Sequence, residues 1–500
     1  MRVTLVRPPF YALIGVSNAS HPLSLGYLSA SLIEAGHDVQ VVDGEALKYT
    51  DANGLQSSWS NIMALMFPFY NSRKNEALLE SIMHDHHHVI WETIVKKIVD
   101  TRPDVIGITC FTVSMTSVKI IVEKILKALP GVKIVLGGIH VTSMPEQTLR
   151  DVAGVTCLVI GEGERTIVDL CSALGKPGQP LSGIKGLAFL TPDGHFVNTG
   201  RRDLISDIDD LPLPTRAWAA HTYTSHLGFT SRGCPFTCNF CDSRTIWTRN
   251  VRFVSQKRIF TELEQIDKLG IPFFRYSDDT FTLDRKRTQQ WCNNVRERGY
   301  HKKIQFGFGT RVELITRECV EDYASAGVID ISFGIETGSE RMRKIISKDF
   351  HGTDPFEAVK IVNEAGIGTR TYFMLGHPSE RPQDVMDTIG LIRKMSSLPL
   401  NYAEVNVTCP YPGTELWKLA IEKTAGRPFV DIGSYYKMFH QGAPIVNLTD
   451  MSDEELYKWI QTTYKIAKFS ALRSRTRVWG RQLFKNPVKT IRFIKERVSR

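Results

Sequence analysis

Within the stretch Ser231-Arg-Gly-Cys-Pro-Phe-Thr-Cys-Asn-Phe-Cys-Asp242, Cys234, Cys238 and Cys241 stand in a C-x3-C-x2-C spacing. Gly233 and Pro235 can bend the backbone so that three thiols turn toward one ligand. Iron–sulfur clusters are usually held by four thiolates, so three without a fourth nearby imply a cluster with one iron left open for a substrate or cofactor. A structural zinc site would close its tetrahedron with a fourth Cys or a His at a short second spacing. Cys292 and Cys319 are isolated and lie inside helix-like patterns, so zinc is the weaker reading.

The elements that must carry this loop follow it as alternating strands and helices. Strands are expected at Gly228–Thr230, Phe273–Ser277, Ile304–Gly309, Ile329–Ile335, Thr369–Leu375 and Ala403–Thr408, with helices near 256–269, 285–298, 317–326, 354–365 and 382–395. Six β/α units over residues 222–425 make a partial (β/α)6 barrel, whose working face is the carboxyl ends of its strands. Polar clusters stand at those ends: Tyr276-Ser-Asp-Asp-Thr280, Thr310-Arg-Val-Glu313, Phe333-Gly-Ile-Glu-Thr-Gly338, Gly376-His-Pro-Ser-Glu380 and Cys409-Pro-Tyr-Pro-Gly-Thr414. One polar strand end is ordinary helix capping. Five facing one mouth are better explained by a ligand.

Upstream, residues 1–175 read as a doubly wound parallel sheet. Apolar runs at Val3–Val6, Val39–Val42, Val105–Thr109, Ile134–Leu136 and Cys157–Ile160 alternate with helix-like segments, the pattern of strands buried on both faces. Ligands sit beyond the carboxyl ends of such strands. No G-x-G-x-x-G follows the first strand, which argues against a dinucleotide site. Residues 176–221 are a turn-rich connector, with a hairpin expected across Pro192-Asp-Gly194.

The cysteine loop and its barrel resemble the radical S-adenosylmethionine (SAM) superfamily. The resemblance implies that Cys234, Cys238 and Cys241 bind a [4Fe–4S] cluster whose open iron is chelated by SAM, with Phe240 beside the adenine. Tyr276, Ser277, Asp278 and Asp279 occupy the place where members contact the methionine amino group. Many members carry Gly-Gly-Glu there, so an acid is kept and the glycines are not. Glu336 lies where the ribose is contacted and Gly376 where the pocket closes. Arg311 could neutralise the methionine carboxylate, and a salt bridge to a neighbouring strand end would serve it equally well.

The upstream pieces Pro8-Pro9, His21-Pro-Leu-Ser-Leu-Gly26, Gly137-Gly-Ile-His140 and Gly161-Glu-Gly-Glu164 resemble the cobalamin-binding domain that precedes many radical SAM cores. That resemblance assigns Pro9, Thr112, Ser114, Gly137, Gly138, His140, Glu162 and Gly163 to cobalamin. The D-x-H-x-x-G loop that supplies a lower axial histidine in some cobalamin proteins is absent. The closest string, Asp85-His-His-His-Val-Ile90, lacks the glycine and reads as a solvated helix start. A weakly coordinated lower face favours moving a methyl group off cobalt. Thr156 stands where the resembling pattern often has Asp.

The net charge of +9 is local. Residues 465–500 hold twelve Lys or Arg and one acid, leaving 50 basic against 52 acidic residues elsewhere, which argues against nucleic-acid binding by the body of the protein. Nine cysteines in 500 residues do not make a disulfide framework, and a thiolate cluster needs a reducing compartment; Cys110, Cys157, Cys171, Cys292, Cys319 and Cys409 read as small apolar fillers. No run of about eighteen apolar residues occurs, and the amino terminus reads as a strand, so a cytoplasmic protein is expected. Residues 426–500 are expected to be helical and basic. Trp479, Leu483, Phe484, Val488, Ile491, Ile494 and Val498 could form one face of an amphipathic helix on an anionic membrane, although a solvated helix packed on its own domain is the simpler reading.

Together these readings imply a cobalamin-dependent radical SAM enzyme, a methyltransferase acting on an unactivated carbon of a small-molecule or lipid-like substrate. Two SAM molecules would be used, one for the radical and one for remethylation, with electrons from a low-potential donor such as flavodoxin or ferredoxin. A cyclase or rearrangement enzyme with the same cofactors is the alternative. A B12-sensing binding protein would leave the cysteine triad without a purpose.

Overall fold

The computed structural model describes residues 1–14, 20–47, 72–176, 178–219, 222, 223, 225–439 and 444–485, with the backbone alone at 14, 72–76, 439 and 470–485. The first sheet runs β2 (Asp38–Asp43), β1 (Arg2–Arg7), β3 (Val105–Thr109), β4 (Lys133–Gly137), β5 (Cys157–Val159), β6 (Leu187–Leu190) and β7 (Phe196–Asn198). Strands β1 to β5 pair in parallel, and the last two add antiparallel at the β5 edge. The connector hairpin is therefore part of the first sheet. Alternate strand residues enter two separate cores, with Val6, Ile108, Leu136 and Leu158 on one face and Leu5, Val105, Val135 and Cys157 on the other. Burial on both faces explains why these strands are continuous apolar runs.

The second sheet is six-stranded and parallel, in chain order β8 (His226–Gly228), β11 (Phe273–Tyr276), β12 (Gln305–Thr310), β13 (Val328–Glu336), β14 (Gly368–Leu375) and β15 (Asn401–Val407). Phe274, Phe306, Phe308, Ile331, Phe333, Phe373 and Val405 pack with Leu263, Val295, Val359 and Ile389 of the surrounding helices. The opposite face takes the alternate residues, among them Arg275, Gly307, Ser332 and Glu404, which are polar or small. An apolar outer layer and a polar concave face leave the strand ends free to hold a ligand.

The first strand of this sheet ends two residues earlier than its sequence suggests. Beyond Gly228 the Thr230 N–H is taken by the Asp278 carboxylate rather than by a neighbouring strand. Ser231–Arg232 (β9) instead pairs antiparallel with Arg252–Phe253 (β10), closing the cysteine loop at its base.

The last long helix, Asp453–Lys485, buries Leu456, Ile460 and Ala467 in the core of the second sheet. The tail side chains read above as an amphipathic face, Trp479, Leu483, Phe484, Val488, Ile491, Ile494 and Val498, lie outside the described residues. No described helix is long and apolar enough to cross a membrane. At the histidine run, His88 caps the helix Val89–Asp100, its Nδ1 accepting from the Ile90 N–H at 3.3 Å.

Candidate active site

The cysteine loop is set by backbone geometry at Gly233. Its φ is +97°, and a Cβ there would lie 2.3 Å from the Asn250 carbonyl oxygen, so only glycine fits where the loop crosses the strand after it. The three thiols are free and half-buried. Burial pushes the Cys234 thiol up and that of Cys241 up to about 12, with the Asp279 carboxylate adding to both. Unliganded, the Cys234 and Cys241 thiols are held protonated, and bound metal would reverse that. The Arg311 guanidinium already reaches the loop, donating to Cys238 Sγ at 3.6 Å and lying 3.9 Å over the Phe236 ring. Among the described residues no three His, Cys, Asp or Glu side chains converge on a point fit for one metal ion. A [4Fe–4S] cluster takes each thiolate on a different iron, so the triad fits a cluster without such convergence.

The two aspartates at the end of β11 differ in what they do. Asp278 is buried and its carboxylate accepts from Thr230 N at 3.0 Å, Thr230 Oγ1 at 2.8 Å and Ser231 Oγ at 2.5 Å. These three donors fasten the strand end to the root of the cysteine loop. Asp279 is exposed, with one oxygen accepting from Ser243 Oγ at 2.7 Å, and burial of its surroundings together with the charges of Asp278 and Asp242 pushes its carboxyl up. A ligand ammonium would relieve that repulsion. Ser277 is exposed beside it, its N–H donating to the Gly228 carbonyl. Tyr276 points the other way, into an aromatic core with Phe281, Trp291 and Phe306, and its hydroxyl accepts from Trp291 Nε1 at 3.0 Å.

Arg311 is buried and ion-paired with Glu313, and its Nη2 donates to the Asp349 carbonyl at 3.1 Å. Glu336 sits at a register shift between β13 and β14 with φ +67°, a left-handed conformation uncommon for a residue with a side chain. Its carboxylate pairs with Lys348 Nζ at 2.6 Å, in space that a side chain at Gly334 would fill. Lys348 Nζ in turn lies 5.7 Å from the Phe240 ring centroid. Single-sequence reading has no signal for Lys348, which comes from the loop after the helix Glu340–Ile345.

At the ends of β14 and β15 several side-chain polar atoms are buried without a partner among the described residues. Gly376 turns with φ +94° and donates its N–H to Glu380 Oε2 at 2.6 Å. Both ring nitrogens of fully buried His377, Glu380 Oε1 and Thr408 Oγ1 have no hydrogen-bond partner among the described residues. Burial drives His377 down to about 3 and Glu380 up to about 8, so both are neutral at pH 7. Unsatisfied buried polar atoms cost about 1–3 kcal/mol each unless a ligand or water pairs them. His377 stands 6.1 Å, centroid to centroid, from Phe240.

On the first sheet, the residues that resemblance assigns to cobalamin gather at the carboxyl ends of β1, β3, β4 and β5. Thr112 Oγ1 lies 3.0 Å from His140 Nδ1, and Ser114 Oγ accepts from the Phe111 N–H and donates to its carbonyl. Buried His140 is driven down to about 4 and so is a neutral imidazole. Gly137 accepts from Cys110 N, and a Cβ on Gly138, at φ +117°, would lie 2.8 Å from the Cys110 carbonyl oxygen. Gly138 is thus required where two loops of the protein meet, whereas a Cβ on Gly137 would make only ordinary contact with Val159. Pro9 is buried and accepts from Ser117 Oγ. The loop after β1 is held by Glu45, which accepts from the N–H groups of Phe10, Tyr11 and Ala12, a cap the sequence reading missed. Gly163 is packed on Leu28. Phe111, by contrast, is 53% exposed, an aromatic face at the strand ends open to a flat macrocycle.

Glu162 faces the second sheet. Its carboxylate pairs with Arg232 Nη1 at 2.7 Å and Arg252 Nη1 at 3.0 Å and accepts from the Ile205 N–H, while Glu164 also pairs with Arg232. Arg232 is further enclosed by the rings of Tyr27, Phe229 and Trp247. The loop Gly161–Glu164 is thus tied to the root of the cysteine loop. A second contact completes the closure: the segment near the carboxyl terminus returns to the first sheet, where the Ile432 carbonyl accepts from Thr116 Oγ1 at 2.6 Å and Tyr435 meets His140 edge-on at 5.0 Å. The strand ends of both sheets therefore share one interface.

Residues 229–392 match the model of the radical SAM superfamily, and residues 76–171 that of the B12 binding domain. An uncharacterized methyltransferase of Pyrococcus horikoshii is 29% identical over 475 residues, covering 93% of this chain and 92% of the relative. An anaerobic magnesium-protoporphyrin IX monomethyl ester cyclase of Cereibacter sphaeroides is 28% identical over 391 residues, 76% of this chain and 62% of that protein. Among solved structures, the radical S-adenosylmethionine methyltransferase TsrM of Kitasatospora setae, with cobalamin and a [4Fe–4S] cluster bound, has the same fold. Its TM-score is 0.63 at 18% identity, covering 88% of this chain and 81% of that chain. With a B12-binding sheet preceding a radical SAM core and their strand ends joined, the chain belongs to the B12-dependent radical SAM family.

Proposed function

We propose that the protein is a cobalamin-dependent radical SAM methyltransferase that methylates an unactivated carbon of a small molecule. One observation carries the reading: the Glu162–Arg232 pair fastens the open three-thiol loop of one sheet to the cofactor-type loops of the other. When bound, the cluster with SAM supplies hydrogen-atom abstraction and cobalamin supplies a transferable methyl group. A cobalamin held at Phe111 would face whatever is bound beside the cysteines.

Cys234, Cys238 and Cys241 hold the cluster in this reading, and Arg311 offsets the negative charge of its thiolates. Asp279, with Ser277, receives the ammonium of SAM. Asp278 and Tyr276 act from behind, fixing the strand end. Phe240 stands beside the adenine with His377 behind it, Gly376 gives the close approach, and Glu336 and Lys348 set the pocket's polar edge. On the other sheet, Thr112, Ser114 and the Gly137–His140 turn shape the floor under the macrocycle, and Pro9 and Gly163 form its rim. Glu162 serves through Arg232 rather than by touching cobalamin. The proposed division is a cobalamin-binding unit over 1–175, a connector over 176–221 whose hairpin extends the first sheet, a radical SAM core over 222–425 and a helical tail over 426–500.

Bound cofactors filling the space between the strand ends of the two sheets would keep water from a reactive species. Such chemistry needs a reducing, cytoplasmic setting and a low-potential flavodoxin or ferredoxin. The Lys- and Arg-rich residues 465–500 would suit transient contact with an anionic membrane.

The test is anaerobic reconstitution with iron, sulfide and hydroxocobalamin, followed by SAM carrying a labelled methyl group, a reductant and candidate substrates. Formation of 5′-deoxyadenosine, S-adenosylhomocysteine and labelled product together is the expected result. Deoxyadenosine without S-adenosylhomocysteine would replace methylation by the cyclisation or rearrangement class, which the 28% identity to the Cereibacter sphaeroides cyclase keeps in view.

A further inference from the structure

Between the strand ends of the two sheets lies a cleft of about 410 Å³ whose lining includes Ser143, Arg201, Arg244, Thr245, Thr248 and Arg249. Three arginines line it, Arg244 half-buried and Arg201 and Arg249 exposed to solvent. Arg244 is paired with Glu415, which also pairs with Lys418, while Arg201 and Arg249 have no carboxylate partner among the described residues. One acid thus stands against three arginines on this wall. Arginines without a carboxylate partner, whose planar forks match the oxygens of phosphate or carboxylate, give a cleft they line a positive field.

The walls are built for close approach. Gly413 enters the lining with φ +89°, and a Cβ there would lie 2.8 Å from Ser143 Oγ and 2.9 Å from Thr245 Oγ1, so bare backbone is needed where three segments meet. Thr248 holds φ 61° and ψ −158°, a conformation that a residue with a side chain rarely adopts, with its Oγ1 accepting from Asn250 N. Both sides lead into the candidate active site. Thr245 lies four residues beyond Cys241, and Ser243 between them bonds Asp279. Thr142, also in the lining, accepts from Gly161 N and donates to the Gly138 carbonyl, joining the two cofactor-type loops.

We infer that this cleft binds a phosphoryl-type dianion of the methyl acceptor, so that the substrate is a phosphate- or phosphonate-bearing small molecule anchored by Arg201, Arg244 and Arg249. The inference rests on the methyltransferase reading, to which it adds a substrate class. Its volume is that of a small-molecule site, and anchoring by the remote anionic end would hold the reacting carbon toward the cysteine loop. The phosphodiester of cobalamin offers the same chemistry from a second source.

Calorimetric titration of the cluster- and cobalamin-loaded full chain with inorganic pyrophosphate, at constant ionic strength, tests the assignment. Saturable binding is expected, weakened at least ten-fold in the R201Q/R249Q double variant, with iron content and cobalamin retention on gel filtration as in the wild type. Absence of saturable binding, or equal affinity in the variant, overturns the proposal. Loss of cobalamin from the variant also overturns it, by assigning the arginines to the cofactor's phosphodiester. Failure of the methyltransferase reading would show separately, as absence of S-adenosylhomocysteine from the wild-type reaction whatever pyrophosphate does.

Discussion

Arg232, two residues before the first cysteine of the cluster loop, donates to Glu162 of the other sheet at 2.7 Å, with both side chains almost wholly buried. Breaking an isolated buried pair from one side costs about 3–5 kcal/mol; here Arg252 stays beside Glu162 and lessens the loss, while Glu164 is left without Arg232. Arg232→Met is expected to lower the melting temperature of the chain by several degrees and to reduce the iron retained after reconstitution. A Glu162→Gln/Arg232→Met double variant should be more stable than the sum of the two single changes. Strict additivity of the two melting shifts would show that the pair does not couple the sheets.

The three loop cysteines should be separable from the other six by metal content. Cys238→Ala is expected to lose most of the iron and the visible cluster absorption and to form no 5′-deoxyadenosine. Cys292→Ala, in the core behind the second sheet, should keep both at a modest cost in stability. Iron retention in Cys238→Ala equal to wild type would remove the cluster assignment.

Asp278 and Asp279, adjacent in sequence, should fail in different ways. Asp279→Asn removes the exposed carboxylate and is expected to raise the KM for SAM by ten-fold or more while leaving the melting temperature within about a degree. Asp278→Asn puts an amide where Thr230 N, Thr230 Oγ1 and Ser231 Oγ all require an acceptor, so the expected loss is in stability and cluster retention, of about 1–3 kcal/mol. Identical KM effects in the two variants would contradict this division.

Glu380 gives the fold a pH dependence. Burial holds its carboxyl up near 8 in the folded chain against an ordinary value of 4.5. The folded state therefore binds the proton more tightly, and this contribution to stability is full below about pH 4.5 and is lost as pH rises to about 8. Its size is on the order of a few kcal/mol. Glu380→Gln, which stays neutral throughout, should flatten that part of the stability profile measured by denaturation between pH 5 and 8. A slope unchanged by the substitution would mean that the carboxyl is ionised in the folded chain.

Both sheets were legible because their strands are short apolar runs between turn signals, and the cysteine loop because its spacing is local. What sequence spacing could not reveal was the division of labour among neighbours. Asp278 and Asp279 look alike in one dimension and are distinguished only by the Thr230 and Ser231 donors, 48 and 47 residues away. Glu162 reads as a cofactor contact because its loop resembles one, yet its charge is claimed by an arginine 70 residues on. Lys348 and Glu45 carry no pattern at all, since a side chain that reaches across a loop to a carboxylate or to three backbone N–H groups needs only length and charge. The connector hairpin was visible as a hairpin, but its membership of the first sheet depends on the free edge of β5, which no local signal reports.

The return of residues 430–439 to the first sheet has a consequence for biosynthesis. Thr116 and His140 leave the ribosome some three hundred residues before Ile432 and Tyr435, which cover them. The amino-terminal sheet can therefore fold early as a unit yet present an unfinished binding face throughout most of translation. Capture of a bulky macrocycle is coupled to completion of the chain, so a protein truncated before residue 430 should fold its first sheet and still fail to retain the cofactor.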